Sequence, residues 1–254
     1  MPVETYAWPL KRVLETLEKN KVRYILLGGQ AVVAYGAAQF TRDADFWIQP
    51  TQANVRRLRN AMRELGASSR FLPPLELKWL AKGHGVHFSF TVQGRRYHLD
   101  FLGKPPRVLG FMQARHDATT VPWHGLEIKV LDIPRLVQTK KTDRDKDYLA
   151  IQTLVDGVLA ETMRKKRPST RVVTWLMHES RSPSQLKFMV AKWKSARRVA
   201  GLSTRKAANL AFRNAPASAI EMALRQEEEG LKQENRAYWK PFLVELRALH
   251  RMKR

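Results

Sequence analysis

Residues 28–48 read GGQAVVAYGAAQFTRDADFWI: two glycines sit directly behind an apolar run, and two aspartates one residue apart open a second one. The first run, 22–27, suits a short buried strand that Gly28 and Gly29 break before a helix at 30–35. Residues 43–48 suit a second strand. Side chains alternate along it, so Asp43, Asp45 and Trp47 share one face while Ala44, Phe46 and Ile48 share the other. The apolar face packs, and the acidic face must be compensated. Two carboxylates rooted about 6–7 Å apart on one face repel unless protonated, hydrogen-bonded or bridged by a cation, and hard oxygen donors favour Mg²⁺.

Outward from this stretch, strand and helix alternate. The spacing predicts a helix at 4–19, a helix at 51–65 with Thr51 as its cap after Pro50, and a short helix at 74–82. VHFSFTVQGRRYHLDFL, 86–102, predicts a hairpin turning at Gln93-Gly94. More short strands follow between 117 and 131, then helices at 133–141 and 145–160. The second hairpin strand supplies a third carboxylate, Asp100, and adjacent strands would bring three acids around one or two ions. A strand that ends in Gly28-Gly29 and turns at once into a helix exposes free N–H groups and the positive end of the helix dipole, where phosphates bind. Metal and phosphate together imply in-line attack at the α-phosphorus of a nucleoside triphosphate. One ion would lower the pKa of the attacking hydroxyl and the other would neutralise the leaving pyrophosphate.

The chain has 254 residues, with 46 Lys and Arg against 23 Asp and Glu, a net charge of +23. That charge favours phosphate-rich partners. It is uneven: residues 1–162 carry 24 basic and 16 acidic side chains, whereas 163–254 carry 22 and 7. The junction is MRKKRPST, 163–170, a cationic run meeting Pro168 and two hydroxyl residues. The sequence therefore divides into a mixed α+β domain, 1–162, and a basic helical domain, 163–254, with helices at 171–179, 184–199, 204–213 and 217–250. Its aromatics Trp175, Trp193, Tyr238 and Trp239, with clusters such as KWKSARR at 192–198, read either as core beside a solvated cationic face or as a groove tracking an RNA backbone.

No cysteine is present, which excludes disulfides, thiol catalysis and Cys-ligated zinc. No signal-peptide pattern or membrane-spanning run is present, so a cytoplasmic protein with no membrane partner is the expectation. His84 and His87 stand three apart without HExxH spacing and read as loop and strand residues, while His98 shares the Asp100 face by alternation and lines the cleft. Nucleophile-elbow, Walker and GxGxxG patterns are missing as well.

Gly28, Gly29, Thr41, Arg42, Asp43, Asp45 and Asp100, with LVQTKKTDRDKDYLAI at 136–151, resemble the DNA polymerase β-like nucleotidyltransferase superfamily. They are most similar to its small bacterial GG…TRDxD branch, which includes toxins of toxin–antitoxin modules. The resemblance covers about residues 22–157. It implies a nucleotidyltransferase-like mixed sheet with helices, Mg²⁺ (or Mn²⁺) held by Asp43, Asp45 and Asp100, and Asp100 as acceptor of the incoming proton. It implies an NTP substrate bound at Gly28, Gly29, Thr41 and Arg42, with Lys140 facing the triphosphate; read from the residues alone, Lys140 is equally an exposed helix lysine, and Arg144, Lys146 and Asp147 form surface pairs and a helix start. It further implies transfer of NMP to RNA, such as a tRNA 3′ end, and an antitoxin protein as partner. A small-molecule or protein acceptor, or a catalytically silent binding module, are the alternatives. Gln39 departs from the pattern, standing where relatives commonly carry Arg.

Overall fold

The structure, a computed structural model, describes residues 9–38, 41, 43–123 and 125–252. Gln39 and Arg42, singled out in the sequence, lie outside the described residues. The architecture is mixed α+β: a seven-stranded sheet with helices, and a helical C-terminal part. The chain forms two compact units, residues 1–139 with 240–254, and residues 140–239.

The first unit contains the sheet, in the order β3-β4-β5-β2-β1-β7-β6. Its strands are β1 (Tyr24–Leu27), β2 (Asp43–Ile48), β3 (Ser68–Ser69), β4 (Gly85–Val92), β5 (Arg95–Leu102), β6 (Thr119–Trp123) and β7 (Leu126–Val130). β1 and β2 pair antiparallel, but β2 pairs parallel with β5, and β1 parallel with β7. The β4–β5 hairpin turns where the sequence places it, with Gln93 at φ 50° and Gly94 at φ 73°, the two positive values that a tight two-residue turn requires. On one sheet face Phe46 stacks on Phe101 at 5.3 Å, and Tyr24 and Phe88 meet these rings edge-on, closing an aromatic core over β1, β2, β5 and β4.

The helices of this unit are α1 (Leu10–Lys19), α2 (Gly28–Ala34), α3 (Gln52–Glu64), α4 (Leu77–Lys82), α5 (Phe111–Asp117) and α6 (Ile133–Thr139). Thr51 caps α3 as expected, its hydroxyl accepting from Asn54 N at 3.3 Å. α2 begins at the glycines themselves rather than after them. α5 is an element the spacing did not show, and it corrects one face of β2. Trp47, assigned to the acidic side, is 2% exposed; its indole N–H donates to Gly103 O at 3.0 Å and its ring packs edge-on against Phe111 of α5.

The second unit holds α7 (Asp145–Met163), α8 (Thr170–Glu179), α9 (Pro183–Lys192), α10 (Lys194–Leu202), α11 (Lys206–Phe212) and most of α12 (Ala217–Met252). The single helix expected at 184–199 is two, because Trp193 is extended at φ −118° and ψ 122°. Buried alanines, Ala196 and Ala200 on α10 with Ala207 and Ala211 on α11, let these short helices approach closely. The division between units falls at 139/140, not at 162/163. The physical reason is α7: it packs on α8, and its start is tied to α12 by Lys232 on Asp145, 2.6 Å. The run 163–170 is therefore a link between two helices of one unit, and Ser169 within it caps α8 through Val172 N.

Candidate active site

Register brings the acids together. Asp45 on β2 lies opposite Asp100 on β5, and Asp43 lies opposite His98. On the other side of β5, His87 lies opposite Asp100 and Ser89 opposite His98. Residues paired across strands share a face, so one surface carries Asp43, Asp45, Asp100, His87 and His98. Asp43 is exposed, and Asp45 and Asp100 are half-buried. The face opposite them is the aromatic core, which explains why this surface stays open while Ala44, Phe46, Leu99 and Phe101 do not.

Asp100 has a partner that the sequence reading missed. His87 Nδ1 lies 2.7 Å from Asp100 Oδ1, near enough for the imidazole to orient the carboxylate. The signal was present: counting outward from the two-residue turn at Gln93-Gly94 puts His87 directly across from Asp100. His98, placed in the cleft by alternation, is on this face, and its buried Nδ1 has no hydrogen-bond partner among the described residues.

The glycines serve Asp45 and Thr41. Gly28 has φ +68°, and a Cβ there would lie 1.9 Å from Asp45 Oδ2; a Cβ on Gly29 would lie 2.9 Å from Thr41 Oγ1. Thr41 is held in place because Gln30 Nε2 donates to its carbonyl at 3.0 Å. The turn between β1 and α2 is thus shaped to receive the Asp45 carboxylate.

Two carboxylates opposite each other on neighbouring strands, with a third two residues along, form an oxygen donor set whose chemistry fits a hard divalent cation. Among the described residues, no three His, Cys, Asp or Glu side chains gather closely enough to hold a metal ion as they stand.

Lys140, expected to face a triphosphate, is buried in the second unit and donates to Asp147 Oδ1 at 2.9 Å. Asp147, read as a surface residue, is 2% exposed. Thr142 Oγ1 and Arg144 Nε also donate to it, at 2.6 and 2.8 Å. Burial pushes the Asp147 carboxyl up, but Lys140, Thr142 and Arg144 together outweigh it and hold it below the usual carboxylate range. His84 is a core residue: it is 1% exposed, packs edge-on against Trp79 and Phe242, and lies 2.8 Å from Glu245 Oε2. No helix among the described residues is long and apolar enough to cross a membrane.

No family model matches the chain, and no curated protein matches it. Among solved structures, it is similar to a Thermotoga maritima protein named as a candidate nucleotidyltransferase, with 16% identity over 65% of this chain and 93% of that one, at a TM-score of 0.36.

Proposed function

We propose that the protein is a metal-dependent nucleotidyltransferase moving NMP from an NTP to an acceptor hydroxyl on RNA. One observation carries the reading: Asp45 and Asp100 oppose each other on adjacent parallel strands, and the Asp45 carboxylate is seated on Gly28 at the first turn of α2. Asp45 and Asp100, with Asp43 beside them, would hold Mg²⁺ (or Mn²⁺), which supplies charge neutralisation at the triphosphate and acidifies the attacking hydroxyl. The remaining chemistry belongs to the side chains. Asp100, oriented by His87, accepts the proton of the acceptor hydroxyl as it attacks the α-phosphorus. Gly28, Gly29 and Thr41 would bind the triphosphate at the turn, at a helix start that favours anions, and the sequence resemblance adds Arg42 to them. Lys140 would have to leave Asp147 to reach a phosphate.

RNA as acceptor is supported by charge. Residues 163–254 carry 22 basic against 7 acidic side chains, and Lys192, Lys194, Arg197 and Arg198 are all exposed. A toxin role with an antitoxin partner rests on the sequence resemblance alone. A second reading, a silent nucleotidyltransferase-like module that binds RNA, is favoured by the lack of a gathered three-residue metal set among the described residues.

The deciding experiment incubates the protein with each labelled NTP and Mg²⁺ over total RNA, with protein-only and small-molecule controls. Label entering RNA with wild type and not with Asp45→Asn supports the enzyme. Label entering only the protein or a small molecule replaces the acceptor, and no transfer anywhere leaves the silent module.

A further inference from the structure

The acidic face continues past His87 toward the β3 edge of the sheet. β3 pairs antiparallel with β4, Ser68 opposite Ser89 and Ser69 opposite Phe88, and one more bond follows, Arg70 N donating to His87 O at 2.9 Å. Phe71 comes next. Its side chain stays out of the aromatic core: it is 58% exposed and meets the His87 imidazole edge-on, with ring centres 6.0 Å apart. The Arg70 guanidinium lies over the Phe71 ring, 4.7 Å from its centre. The backbone on either side is held. Ser69 Oγ donates to Phe71 O at 3.4 Å, and the carbonyl of buried Leu75 accepts from Arg59 Nη2 at 2.9 Å.

A single exposed apolar side chain is ordinary. What gives this one a use is its place in the strand order, β3-β4-β5-β2-β1. In that order the face carries Phe71, His87, Asp100, Asp45 and then the Gly28-Gly29 turn. With the triphosphate at the turn and Asp100 taking the proton of the attacking hydroxyl, the α-phosphorus lies over Asp45 and Asp100 and its leaving group points toward β1. In-line displacement brings the attacking oxygen from the opposite side, across β5 from β4 and β3. The acceptor therefore enters over His87 and Phe71. Two strand spacings, about 10 Å, separate Phe71 from Asp100, a span suited to a nucleoside with its hydroxyl at the acid and its base at the ring.

The surroundings suit a nucleobase better than an apolar group. Arg70 is exposed beside the ring, and on the same face Arg96, also exposed, stands opposite Thr91 at the far end of the hairpin. An aromatic ring flanked by cations stacks the bases of a single strand while the cations meet its phosphates. We infer that Phe71, with Arg70, is a stacking platform for the terminal base of the acceptor RNA, the base of the nucleotide whose hydroxyl attacks. The inference rests on the nucleotidyltransferase reading with RNA as acceptor, and it names the residue that seats the acceptor.

The test measures binding of the whole protein, at low salt and by calorimetry, to a short single-stranded RNA, to the same RNA lacking its 3′-terminal base, and to one lacking its 5′-terminal base. Wild type should hold the intact RNA about tenfold more tightly than the RNA without the 3′ base, and should hold the RNA without the 5′ base as tightly as the intact one. Phe71→Ala should weaken the intact RNA about tenfold and leave the RNA without the 3′ base unchanged. Phe71→Leu, apolar but not aromatic, should lose as much, and Phe71→Trp should bind at least as tightly as wild type. NTP affinity in Mg²⁺ should be the same in all four proteins. Equal weakening of all three RNAs by Phe71→Ala overturns the platform, as do full RNA affinity in Phe71→Ala or Phe71→Leu and a loss of NTP affinity in place of RNA affinity. Transfer to RNA with no dependence on Phe71 or the 3′ base removes the platform and keeps the enzyme. Binding that depends on both, without transfer to any acceptor, keeps the stacking contact and leaves the silent module.

Discussion

The Asp45 carboxylate occupies the space that a side chain on Gly28 would need, with a Cβ there falling 1.9 Å from Asp45 Oδ2. Gly28 is also at φ +68°, so backbone and packing both demand glycine. Gly28→Ala should therefore lower folding stability by roughly 1–3 kcal/mol, by backbone strain and displacement together. It should also abolish transfer by moving Asp45. Urea denaturation and the labelled-NTP assay measure the two effects. Gly157→Ala, in the interior of α7 with open space around its Cα, should instead raise stability by about 0.5–1 kcal/mol.

Asp45→Asn keeps the shape of the side chain and removes a charged donor. Transfer should fall on the order of 10²-fold or more, while RNA binding stays at the wild-type level. His87→Gln should cost less, roughly 10-fold, since it only loosens the Asp100 carboxylate. Single-turnover rates with saturating NTP separate the two, and equal losses would show that His87 does more than orient.

Asp147 makes the second unit acid-sensitive. Its carboxyl titrates below its unfolded value of about 3.9. The stability it contributes is therefore complete above pH about 4 and is lost as pH falls through the lower folded value. Asp147→Asn should flatten stability against pH in that acid range. At neutral pH it should cost about 3–5 kcal/mol, because Lys140 stays buried without its counter-charge. Denaturation midpoints from pH 7 downward provide the measurement.

Charge reversal at Lys192, Lys194, Arg197 and Arg198 removes four exposed cations from the end of α9 and the start of α10. RNA affinity should drop and its slope against log salt should flatten, with NTP binding at the acidic face unaffected. Filter binding at several salt concentrations reads both. An unchanged slope would make these residues a solvated face.

The parts of the fold legible in sequence are those with a two-sided pattern. β2 alternates Asp, Ala, Asp, Phe, and the hairpin announces its own turn, so β2, β4 and β5 emerge within a residue of their bounds. α5, FMQARHD, is too short for its period to stand out, and β3 is two residues long. The break at Trp193 is not visible either, since the alanines of α10 continue a helical pattern through it. In the site, alternation puts Asp43, Asp45, Asp100 and His98 on strand faces, but that β5 lies parallel against β2 is a matter of strand order, which no local spacing encodes. Lys140 illustrates the converse limit: a lysine in a polar run, TKKTDRDKD, reads as exposed, yet three residues of that run close around Asp147.

The β1–β2 pair has a consequence during synthesis. These two strands meet soon after residue 48 leaves the ribosome, but the neighbour on the β2 side ends at residue 102 and the one on the β1 side at residue 130. Until then a growing chain carries one wholly apolar strand and one with a single apolar face, with both outer edges unsatisfied, an invitation to pair with another nascent chain. The later strands must arrive from far along the sequence, which is slow. A chain halted before residue 95 would hold the glycine turn and both aspartates of β2, yet it would be sticky as well as inert, and it should be a client for chaperones that cover open sheet edges.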